Sequence, residues 1–212
     1  MKIENSLRSK KGSYNKSHFD KIEERLQIVI IKNQSMANYI YKLSQAKTAP
    51  SEIQDNDDGY NIKPKSLGES TVYPYEYQDR REEFEVFIFY AFSVIESILC
   101  LINTLFDLKL VDKNVNLADV IAKLCKEGDK ELGDYLDKMR KSKWYISLQK
   151  YRDAITHRVV VDIGKGAKGE FFICDNPDIF PSTFEEKRSL FKYVREIENE
   201  VDKLDKEIAE LI

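Results

Sequence analysis

Between Phe84 and Leu110 apolar side chains fall on nearly every side of a helix, interrupted by Glu85, Glu96, Asp107 and Lys109 and by Ser93, Ser97 and Asn103. A helix that is apolar all round has to be enclosed by other helices. This run therefore predicts the central core element of an all-α protein. A membrane-spanning helix needs about 20 almost uncharged residues, and the charges inside the run argue for burial in protein instead, so no membrane partner is expected. Composition agrees with a helical fold: of 212 residues 42% are hydrophobic and 11% aromatic, enough to fill a core, while 33% are charged and only 8 are Gly and 5 Pro. That balance favours long solvated helices over a sandwich or barrel, at a length suited to one domain.

The charge balance narrows the partners. With 34 Lys and Arg against 37 Asp and Glu, the net charge of −3 excludes a broad cationic coat for nucleic acid but leaves room for a local basic cleft. Cys100, Cys125 and Cys174 form an odd, widely spaced set without a CxxC, which points to a reducing cytoplasm. His18 and His157 are the two histidines, so no zinc site of ordinary spacing can be written, and no metal or other cofactor is expected. The N-terminal segment MKIENSLRSKKG lacks the apolar stretch of a secretory signal.

Along the chain, residues 1–15 are polar and basic and are expected to be flexible, ahead of a single helical domain over 16–212. Phe19, Ile22, Leu26, Val29, Ile30, Met36, Ile40 and Leu43 recur at helical spacing and predict an amphipathic helix over 16–46, with Asn33 as a polar break. Residues 48–76 carry three of the five prolines and read as a long loop. The core helix follows over 78–108, then short helices over 117–127, started by Asn116 and ended by Gly128, and over 129–141. A helix over 143–157, capped by Ser142, keeps Trp144, Tyr145, Leu148, Tyr151 and Ile155 on its apolar side. Two β-rich runs around a Gly-rich turn predict a hairpin over 158–174. Ser182 to Glu185 has the pattern of a capping box opening a last helix to about 211.

One stretch can carry chemistry: Tyr151-Arg152-Asp153-Ala154-Ile155-Thr156-His157-Arg158, at the end of the fifth helical segment. Asp153 and His157, four residues apart, lie on one helix face. The carboxylate can accept from one imidazole nitrogen, fix its tautomer and leave the other for proton transfer. Arg152 can swing its guanidinium toward the same place and clamp a phosphate; the plain reading of the same residues is a helix-end salt bridge, with Arg152 and Asp153 solvated and His157 stacked on the hairpin. A phosphate clamp beside a proton-exchanging imidazole is what metal-free RNA cleavage needs: the 2′-OH loses its proton and attacks the adjacent phosphorus.

Arg-x4-His near the end of a helix, with Asp directly after the Arg, in an all-helical bundle with a long apolar helix before it, resembles the HEPN superfamily. The resemblance rests on Arg152, Asp153 and His157 and on the arrangement of the helices over 16–211. It implies an all-α, HEPN-like helical bundle with a small β-hairpin insertion after the motif helix. It further implies a homodimer in which Arg152 and His157 of both subunits line one cleft. The activity implied is metal-independent endoribonuclease cleavage of an RNA substrate in a toxin or defence system, with an antitoxin or other operon partner. Some toxins of the superfamily carry a Tyr two residues after the His, where a partner enzyme modifies them. Val159 stands there in this chain, so that mode of neutralisation is not implied.

Supporting roles fall to Glu96, a carboxylate in an apolar helix that is either buried with a partner such as Arg152 or His157 or partly solvated at the end of the bundle, and to Tyr151, whose ring can stack on a base or belong to the core. Arg158, Lys165 and Lys168 are candidates for RNA backbone contacts, although GKGAKG lacks P-loop spacing and a solvated turn is the plain reading. Two other function classes stay open: a non-catalytic dimeric HEPN-like module binding protein or nucleotide, and a structural helical domain.

Overall fold

Four long helices organise the chain, and their sequences explain why. In the computed structural model, residues 1–45, 65–67, 70–72, 75–111, 115–157, 161–165, 170–174 and 188–211 are described. Among them are α1 (Lys2–Ser9), α2 (Lys16–Gln45), α3 (Tyr75–Leu105), α4 (Leu117–Glu127), α5 (Lys130–Arg140), α6 (Lys143–Thr156) and α7 (Leu190–Leu211). Strands β1 (Lys65–Leu67) and β2 (Ser70–Val72) pair antiparallel, and β3 (Asp162–Lys165), β4 (Phe171–Cys174) and β5 (Arg188–Ser189) form a second antiparallel sheet in the order β3-β4-β5. The fold is a helical bundle with a small β-sheet.

The chain divides into two compact units. The first comprises residues 1–36, 89–149 and 196–212, the second 37–88 and 150–195, so α2, α3, α6 and α7 each contribute to both. In the first unit α3 supplies Ile95, Ile98, Leu101 and Ile102, all fully buried. Ser97 and Asn103, the buried polar residues that interrupt the apolar run, are satisfied by the backbone, as buried polar groups must be. Ser97 Oγ donates to the Ser93 carbonyl at 2.8 Å. Asn103 reaches over the turn after α3: its Nδ2 donates to the Leu110 carbonyl at 3.0 Å and its Oδ1 accepts from Leu110 N–H at 3.1 Å. That clasp spans Asp107 and Lys109, whose φ of 48° and 62° lie in the left-handed region that non-glycine residues rarely adopt. α3 is long and apolar enough to cross a membrane by length and composition, and 56% of its most apolar window is buried within the protein. An enclosed core helix passes the same test.

Local signals set the short helices. Asn116 Oδ1 accepts from Asp119 N–H to cap α4, and Asp129 Oδ1 from Leu132 N–H to cap α5, each at 3.0 Å. Gly133 lets α5 approach α4 closely, since a Cβ there would lie 2.7 Å from Cys125 Sγ. Ser142 Oγ faces Tyr145 N–H at 3.4 Å at the start of α6.

Three expectations change. Residues 1–15 do not stay unstructured: α1 buries Ile3 and Leu7 completely, and its first amides, Lys2 and Ile3 N–H, donate to the Asp205 carboxylate at 2.6 and 3.3 Å. The cap comes from α7, far away in sequence, so no local pattern announced it. The segment 48–76 is not loop throughout, because β1 and β2 form a hairpin within it and α3 begins at Tyr75. The last helix starts at Leu190 instead of Ser182. Arg188 and Ser189 pair with Ile173 and Phe172 and extend the expected hairpin to three strands; the capping-box residues lie outside the described ones.

Candidate active site

The last two turns of α6 present two different faces. Tyr151 and Ala154 are buried, whereas Lys150, Thr156 and His157 are exposed and Arg152 and Asp153 are half-exposed. The helical repeat separates them: residues three apart share a face, and their neighbours stand about 100° away. The backbone holds this geometry to its end. His157 N–H donates to the Asp153 carbonyl at 2.9 Å, and Thr156 Oγ1 to the Arg152 carbonyl at 2.8 Å.

Beneath the site lies an aromatic cluster of the second unit. The Tyr151 ring meets Phe84 edge-on at 5.5 Å and Tyr193 at 5.4 Å, and Phe84 stacks on Phe87 at 6.5 Å. With 1% of its surface exposed, Tyr151 is a core residue and presents no ring for a base to stack on. Its role is to fix the turn that carries Arg152.

On the solvent side Arg152 Nη1 donates to Asp153 Oδ1 at 2.9 Å. The carboxylate expected to hold the imidazole thus sits on the guanidinium. An arginine is long enough to fold back on its neighbour, which leaves Asp153 and the ring of His157 unjoined although one turn separates them. Glu96 belongs to the part of α3 in the first unit and is exposed. Arg158 and Lys168 lie outside the described residues, as does the side chain of Lys165, whose backbone belongs to β3.

Two arginines of the second unit were not anticipated. Arg188 on β5 places its guanidinium 5.9 Å from the centre of the Tyr193 ring. Arg80 on α3 bonds Glu83 at 2.5 Å and the Lys42 carbonyl at 3.3 Å, 5.9 Å from the Phe171 ring. Arg188 was hidden by its assignment to a helix; a serine next to it at the true helix start, with Ser189 Oγ 3.4 Å from Lys192 N, was the available signal. Nearby on α3 burial pushes the Glu85 carboxyl above the usual carboxylate range, opposed by Arg81 at 3.6 Å and reinforced by Glu82. Among the described residues no three His, Cys, Asp or Glu side chains gather as metal ligands would.

The arrangement joins a guanidinium and an accessible imidazole within six residues of one helix end. A family model described as Cthe2314-like HEPN matches residues 65–173, more than half of the chain. The chain belongs to this HEPN family. No curated protein and no solved structure matches it. The match takes in α3 to α6 with β3 and β4, and so contains the Arg152–His157 helix end together with the core helix. Membership establishes a HEPN nuclease or HEPN-like module at the level of the superfamily.

Proposed function

We propose that this HEPN protein is a metal-independent endoribonuclease of a toxin or defence system, acting as a cytoplasmic homodimer on RNA. The observation that carries the reading is the placement of Arg152 and His157 on the accessible side of α6, directly above a packed aromatic layer. His157 takes the proton from a ribose 2′-OH, and the resulting oxygen attacks the adjacent phosphorus. The bond from phosphorus to the 5′ oxygen breaks, that oxygen gains a proton, and the strand ends in a 2′,3′-cyclic phosphate. Arg152 binds the non-bridging oxygens and offsets the charge that grows on them. A second imidazole from the twofold-related subunit supplies the acid for the leaving oxygen. An antitoxin or operon partner would restrain such an activity in the cell.

Incubating the purified protein with a long RNA in EDTA tests the proposal, with Arg152→Ala and His157→Ala as controls. Cleavage by the wild type, lowered about 100-fold or more in each variant, is the expected outcome. Intact RNA in every sample would favour the non-catalytic module.

A further inference from the structure

We infer that Asp153 is a built-in competitor for the phosphate clamp: its carboxylate occupies the Arg152 guanidinium until an RNA phosphate displaces it. This deepens the ribonuclease reading and rests on it. Nη1 of Arg152 donates to Asp153 Oδ1 at 2.9 Å, with 36% and 46% of the two side chains exposed. A guanidinium presents its donors in one planar fork, so a carboxylate bound there and an incoming phosphate contend for the same kind of site. Water screens an exposed pair, so the contact is weak enough to be exchanged. An RNA phosphodiester offers one negative charge on two non-bridging oxygens, a match for the carboxylate, and replaces it without any change in the helix once other contacts hold the strand in place. The pair thereby sets a threshold. Isolated anions and poorly placed phosphates leave Arg152 on Asp153, and a strand held at several points along its backbone releases it.

The competition is read by binding, apart from cleavage. A labelled 2′-deoxy oligonucleotide carries the phosphates but lacks the internal nucleophile, and its affinity is measured at low salt for four proteins: wild type, Asp153→Asn, Arg152→Ala and the double variant. Asp153→Asn removes one negative charge and must tighten binding about 1.4- to fivefold, the range of an exposed ion pair. General electrostatics would give the same gain in any background. Competition for Arg152 requires the gain to vanish when Arg152 is already alanine. A gain of similar size in both backgrounds, or no gain in either, overturns the inference. RNA cleavage by the wild type is scored separately: cleaved RNA with a flat cycle removes the competitor alone, and intact RNA with a coupled cycle removes the ribonuclease reading while the competition stands.

Discussion

The two compact units use the same helices for different ends. In the first, the two buried polar residues of α3 that break the apolar pattern are turned back onto the backbone: Ser97 on Ser93, Asn103 on Leu110. Its charges, such as the Lys123–Glu127 pair at 3.2 Å, line helix surfaces. In the second unit a single turn of α6 alternates a core aromatic, Tyr151, with an ion pair, Arg152 and Asp153, left accessible beside His157. Polar groups consumed by the backbone build a scaffold, and polar groups held out by a rigid layer are available for chemistry.

Truncating the core should strike both units alike and is the largest effect. Phe84→Ala removes the ring that touches Tyr151, Phe87 and Tyr193, and Ile102→Ala empties a fully buried site of the first unit. Losses of about 3–5 and 2–5 kcal/mol respectively are expected in denaturant unfolding. Next, the neighbours on α6 should separate. Tyr151→Ala loses stability, while Arg152→Ala and His157→Ala lose about 100-fold in RNA cleavage with stability changed by no more than about 0.5 kcal/mol. If Tyr151→Ala spared stability, or Arg152→Ala cost several kcal/mol, the contrast between the two faces would break.

Asn103→Ala should cost about 1–3 kcal/mol, because it strips both partners from Leu110 in a turn that already holds two left-handed residues. The cleavage rate per folded molecule should not change. Smallest is a pH effect in the first unit. Burial, with Glu207 and Glu200 adding to it, pushes the Tyr135 hydroxyl up to about 12 from its ordinary 10. Between those values the unfolded chain loses the phenolic proton first, so this residue's stabilisation is complete below pH 10 and is lost as pH rises through 12. Unfolding curves across that window should fall more gently for Tyr135→Phe than for the wild type.

Legibility in the sequence followed how local each cause was. Helix α4 has the expected bounds, 117–127, because Asn116 and Gly128 mark its ends within the chain itself. The spacing of Arg152, Asp153 and His157 on one helix end was legible for the same reason. Long-range causes were not. Asp205 caps α1 from the far end of the sequence, and β4 draws Arg188 and Ser189 out of the expected last helix. Periodicity cannot tell which side of a nearly all-apolar helix faces solvent, so the pattern left Glu96 open between a buried and a solvated place, and it is exposed. Nor does spacing decide between two possible partners: Asp153 stands within reach of both the guanidinium and the imidazole, and the longer side chain takes it.

The central claim is that Arg152 and His157 cleave RNA by internal 2′-OH attack, and the chemistry of the cut ends tests it most directly. RNA digested by the wild-type protein in EDTA should carry 2′,3′-cyclic phosphate and 5′-OH ends, and RNA with a 2′-deoxy substitution at the cut position should stay whole. Cleavage that requires Mg²⁺ and leaves 5′-phosphate ends would contradict the account.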